Sequence, residues 1–144
     1  MPSALPAPMT AAPLRLLLAG LAVAVVVAGV WVLRTFDPNA AGNPFPSCVF
    51  HLLTGLWCPG CGITRALHAL VHFDLAGAMA MNPLVIVALP LLAALALHTW
   101  SPWRVLPARL AQGLSNGYGW IAVFVVFGVL RNVPWWPFAW LAPG

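Results

Sequence analysis

The run LRLLLAGLAVAVVVAGVWVL occupies residues 14–33 and carries a single charge, Arg15. As an α-helix, twenty residues rising ~1.5 Å each reach ~30 Å, the thickness of the hydrocarbon core of a bilayer. A secretory leader is the rival reading. Its apolar core would be shorter, about 7–15 residues, and would end at a small-x-small cleavage site. The boundary Arg34-Thr35-Phe36-Asp37-Pro38 offers no such site, so the run is expected to stay as a membrane helix. Residues 1–13, rich in proline and alanine and uncharged, are expected to form a disordered tail.

The whole composition agrees with that helix. Of 144 residues, 62% are hydrophobic and 6% charged, against about 25% charged in a soluble domain. Two acids and six arginines cannot cover a core in water, so lipid must be the solvent over much of the surface. Two further runs fit: residues 84–100, with a central Pro90, and residues 114–130, whose start is weakened by Asn116, Gly117 and Gly119. The net charge of +4 is carried by arginines standing singly at the ends of apolar runs. Such placement suits anchoring in headgroups and excludes a nucleic-acid footprint, which needs clustered basic residues. The eight tryptophans, three of them after residue 134, read as an interfacial belt. With the N-terminus inside, Arg15, Arg104 and Arg109 face the cytoplasm and Arg34, Arg65 and Arg131 face outward. The acid-free loop holding Arg104 and Arg109 tips the balance that way.

Between the first two spans lies the segment with chemistry in it. Residues 37–46 hold three prolines and two asparagines and read as a loop, followed by a short helix ended by Gly55. Then comes Trp57-Cys58-Pro59-Gly60-Cys61-Gly62-Ile63-Thr64-Arg65. Pro59-Gly60 forces a turn, and Thr64 is placed to cap a helix expected over about 62–81. On it Ile63, Leu67, Leu70, Val71 and Ala78 share one face while Arg65, His68 and His72 share another, so it would lie in the interface. Arg65 and Asp74 fall on opposite sides and need separate partners; Arg131 is the candidate for Asp74. Asn82-Pro83 ends the helix before the second span. The expected architecture is all-α and integral to the membrane, with about three spans plus this interfacial or re-entrant amphipathic helix.

Taken together, Cys58-Pro59-Gly60-Cys61-Gly62-Ile63-Thr64-Arg65-Ala66-Leu67, then Asp74, then Asn82-Pro83-Leu84 resemble the C-P-x-C-G-x-T-R-A … N-P-L pattern of the DUF2752 family of bacterial membrane proteins. Cys48, Thr54-Gly55, Arg131-Asn132-Val133-Pro134 and Leu141-Ala142-Pro143 extend the resemblance over roughly residues 45–143. Two positions depart from it. Phe73 stands where glycine usually precedes the aspartate, which would simply lengthen the helix, and Val49 follows Cys48 where proline is common. The resemblance implies a multi-pass protein of the bacterial inner membrane and no particular activity.

Three chemistries fit the cysteines. Cys48-x-x-His51 and Cys58-x-x-Cys61 form two ligand pairs with zinc-site spacing, and a Pro-Gly turn lets the second pair converge on one ion. Trp57-Cys58-Pro59-Gly60-Cys61 also resembles a redox motif with its middle residues exchanged, in which Cys58 or Cys61 would be the nucleophile at a helix N-terminus. Lastly, the three cysteines within 14 residues could serve structure alone, as a disulfide or as buried thiols. His68 and His72 lack the intervening glutamate of a metalloprotease helix. Two acids and no lysine leave hydrolysis or phosphoryl transfer without machinery. The protein is thus expected to be non-enzymatic, a structural or metal-binding knuckle acting with a lipid bilayer and a protein partner, with thiol–disulfide exchange as the alternative.

Overall fold

A computed structural model describes residues 11–100 and 104–143. The tail expected over 1–13 lies outside this range as far as residue 10, and residues 11–13 open the first helix instead. Of the loop expected over about 101–111, which holds Arg104 and Arg109, residues 101–103 lie outside the range and the chain is helical from Ala108. Among the described residues there are seven α-helices and no strand: α1 (Ala11–Thr35), α2 (Val49–Thr54), α3 (Ile63–Val71), α4 (Leu75–Met81), α5 (Pro83–Trp100), α6 (Ala108–Leu114) and α7 (Gly117–Leu130). A short 3-10 turn, Phe138–Leu141, follows.

Two helices are long and apolar enough to cross a membrane, Leu16–Thr35 within α1 and Pro83–Trp100. The third expected span is bent. Its start, residues 114–116, belongs to the end of α6 and to a break of 63°, and the apolar helix begins at Gly117. Asn116 is the physical reason: its side chain accepts the Tyr118 N–H at 3.1 Å and caps a new helix there. Counted as one bent span, α6 and α7 bring the total to three.

The helix expected over 62–81 is two helices, and three expectations change with it. First, α3 stops at Val71, where Arg34 donates to the Val71 carbonyl at 2.7 Å and joins the end of α1 to the end of α3. Secondly, Phe73 does not lengthen the helix. It adopts φ 63° and turns the chain. That left-handed backbone is what glycine adopts without strain, which accounts for the glycine of the family pattern at this position. Thirdly, Asp74 is spent as the cap of α4, accepting the Gly77 N–H at 2.8 Å, and makes no pair with Arg131.

Burial runs opposite to that of a soluble domain. Leucines and valines of α1, α5 and α7 are exposed, while the two largest fully buried side chains among the described residues are Arg131 and Asn82. The largest buried side chains are therefore polar, and both reach the turn that carries Cys58 and Cys61. The aliphatic exteriors of α1, α5 and α7 have the character that lipid contact requires.

Candidate metal centre

The turn is built by backbone conformation before any side chain contributes. The Cys61 N–H bonds the Cys58 carbonyl at 3.0 Å and the Ile63 N–H bonds the Gly60 carbonyl at 3.2 Å, closing successive turns around Pro59-Gly60. Gly62 then takes φ 81° as the residue preceding α3, with no side-chain cap. Thr64 lies inside α3 and is not its cap, because the left-handed Gly62 has already redirected the chain. A β-carbon on Gly62 would come within 2.6 Å of the Met81 carbonyl oxygen, so the position demands glycine on two counts.

Three side chains from distant parts of the sequence hold this turn by its carbonyls. Arg131 Nη1 donates to the Cys58, Cys61 and Pro59 carbonyls at 2.9, 3.1 and 3.3 Å. Asn82 Nδ2 donates to Pro59 and Cys61 at 3.0 and 3.1 Å, while its Oδ1 accepts the Val85 N–H and so caps α5, whose first residue is Pro83. Asn132 grips Trp57 from both sides, accepting its N–H at 2.7 Å and donating to its carbonyl at 2.8 Å. Pro59 packs on α7 where Gly128 leaves room; a β-carbon there would lie 3.1 Å from the proline ring.

Held in this way, the thiols converge. Cys58 Sγ lies 3.3 Å from Cys48 Sγ and 3.1 Å from Cys61 Sγ, and all three sulfurs are within 4.8 Å of one another. All three cysteines are free thiols. Sulfurs around a tetrahedral zinc, each ~2.3 Å from the ion, stand about 3.8 Å apart, so small outward movements would seat an ion among them. His51 is not in the group. Its ring stacks on Trp57 with centroids 3.8 Å apart, and its Nδ1 lies 3.2 Å from the Leu56 carbonyl. A carbonyl can only accept, so Nδ1 carries the proton there. The thiols are not equivalent. Burial, first, and the neighbouring Cys58 thiol push Cys61 up to about 12. Cys48 is held below the ordinary thiol range, chiefly by the His51 backbone N–H and then by the other two thiols.

Residues 48–96 match the family model described as protein of unknown function, DUF2752. The chain carries a DUF2752 segment. No curated protein and no solved structure matches it. The match is shorter than the 45–143 stretch of the resemblance. All three cysteines, Gly62 and Asn82 of the DUF2752 segment lie inside it; Arg131 and Asn132, which hold the turn, lie beyond it.

The remaining motif residues separate by position. Arg65 is exposed at the rim of a cavity of about 340 Å³ whose wall includes Cys48, His51, Trp57, Cys61 and Thr64. His68 joins α1 to α3 through the Leu33 carbonyl, at 2.7 Å, and faces Asp37 at 3.7 Å, while His72 packs against His68. The Asp37 carboxyl is held below its usual range mainly by the Asn39 backbone N–H, with the two histidines adding to the effect. Gly128 was not singled out from the sequence. Its signal, a lone glycine in an apolar helix, also describes an ordinary lipid-facing position.

Proposed function

We propose that the chain is a multi-pass protein of a bacterial inner membrane whose outward-facing knuckle, Cys48, Cys58 and Cys61, binds a soft metal ion, zinc being the natural choice. The knuckle fastens the first loop to α3 and presents that surface to a protein partner. The observation that carries the reading is the convergence of all three sulfurs. A disulfide would use two of them and strand the third, whereas an ion uses all three. Charge supports it as well. Three thiolates around a divalent ion leave one negative charge, and Arg131, 1% exposed and hydrogen-bonded only to carbonyls, supplies the positive charge to balance it. A buried guanidinium without a counter-charge is costly.

Elemental analysis of the detergent-purified protein should find one zinc ion per chain, and none in Cys58→Ser. A metal-free protein containing a titratable disulfide would overturn the reading.

A second reading rests on Cys58 standing beside both other thiols, an arrangement that lets a disulfide pass from one neighbour to the other. Exchange of this kind would leave Cys58→Ser unable to pass a disulfide between Cys48 and Cys61. Trapping a mixed disulfide with a thiol partner in wild-type protein that contains no metal would favour exchange.

A further inference from the structure

The zinc reading leaves a ligand position to fill, and the surroundings say what fills it. Three thiolates give a tetrahedral ion three of its four ligands; sites with three protein ligands exchange the fourth, while closed sites do not. The expected fourth ligand, His51, is stacked on Trp57 and outside the sulfur cluster. The cluster instead borders the cavity of about 340 Å³, which Cys48 and Cys61 both line. That volume is at the lower end of small-molecule sites. Arg65 stands on the same wall. Neither acid forms an ion pair with it: Asp37 faces His68 and Asn39, and Asp74 caps α4.

We infer that the knuckle ion takes its fourth ligand from this cavity, a monoanionic donor such as a thiolate, with Arg65 receiving the ligand's charge. The inference rests on the metal reading. Its charge balance is simple. A divalent ion with three thiolates carries −1, Arg131 and Arg65 together carry +2, and one monoanion brings the site to zero. Binding forms one ion–ligand bond and displaces a water; the metal's oxidation state does not change.

Cobalt(II) reports both parts separately. The purified protein is stripped of metal and loaded with one equivalent of cobalt. A thiolate-to-cobalt charge-transfer band marks the three cysteines, and the visible d–d bands report the fourth ligand. Titration with azide, and separately with 2-mercaptoethanol, should shift the d–d bands and saturate. Only the thiol should add charge-transfer intensity. Arg65→Gln should weaken azide binding about tenfold, the worth of one charge-assisted contact, with the cysteine band intact. His51→Gln should leave the resting d–d bands as they are. A charge-transfer band whose d–d spectrum ignores both anions overturns this inference alone. So does a His51→Gln variant whose resting d–d bands shift, because His51 would then hold the fourth position. Absence of any charge-transfer band overturns the metal reading and this inference with it.

Discussion

Arg131 shows how one side chain can organise a site that it does not join. Its guanidinium reaches the carbonyls of Cys58, Pro59 and Cys61 and fixes the backbone from which two thiols project. Methionine has a similar length and no donor. Arg131→Met leaves those carbonyls short of partners at about 1 kcal/mol per bond, a loss of about 3 kcal/mol in stability. Metal affinity should fall about 10–100-fold, as it does when groups orienting a ligand are removed. Competition with a chromophoric chelator measures the affinity, and an unchanged value would show that the turn stands without its clamp. The thiols predict a pH dependence too. Cys61 is raised, so the free protein keeps it protonated up to about pH 12 and must release that proton to bind an ion. Metal binding therefore strengthens as pH rises, with Cys61 contributing one proton per ion at every pH below that value. Proton release measured in weakly buffered solution checks it; ion binding with no proton released would contradict the assignment of Cys61 as a ligand.

Among the elements, the break between α3 and α4 is the most informative. Amphipathic spacing is continuous from Ile63 to Ala78, so periodicity alone extends the helix through Phe73. What ends it is local: Arg34 occupies the last carbonyl of α3, and Asp74 caps the next helix. Phe73 takes the left-handed backbone with its ring 88% exposed, stacked only against Arg34 at 5.7 Å. Phe73→Gly should stabilise the protein by up to about 1 kcal/mol, the strain relieved less the lost stacking and the added freedom of the unfolded glycine. Thermal unfolding in detergent checks the sign; a lower midpoint would mean that the Arg34–Phe73 contact outweighs the strain. Apolar helices were legible because lipid imposes long runs, and the cysteine turn because Pro59-Gly60 and Gly62 allow few backbones. The partners of Arg131, Asp74 and His51 were not legible. Those of Arg131 and Asp74 are decided by contacts with backbone groups, which carry no residue-specific sequence signal, and those of His51 by such a contact together with stacking on Trp57.

At the scale of the whole molecule, the chain has two loosely related parts. The membrane-length stretch of α1 is unburied along its length, and the helix meets the rest of the protein through its C-terminal end, where Leu33, Arg34 and Asp37 engage His68 and Val71. The helices from α3 onward, with the final segment, contain the buried arginine and asparagine. Replacing residues 16–30 with an unrelated apolar sequence of equal length should leave metal content and cysteine reactivity unchanged. Altering Leu33–Pro38 while keeping the span should loosen α3 and increase alkylation of Cys61. Loss of metal on replacing the span would show that its membrane-embedded faces are also structural. The family match begins at Cys48, past α1, and stops at residue 96, before the arginine that completes the core.

The separation between the turn and its clamps has a consequence in time. Asn132 lies 75 residues beyond Trp57, and Arg131 lies 73 beyond Cys58. At about 5–20 residues per second of synthesis, the cysteines are translated roughly 4–15 s before the residues that hold them. In the orientation proposed above, Cys58 and Cys61 would stand during that interval on an unbraced loop of the outer compartment, open to oxidation and to any thiol within reach. The turn can be clamped only once the residues after α7 are in place, so on the metal reading the ion would be acquired at the end of folding and not during it.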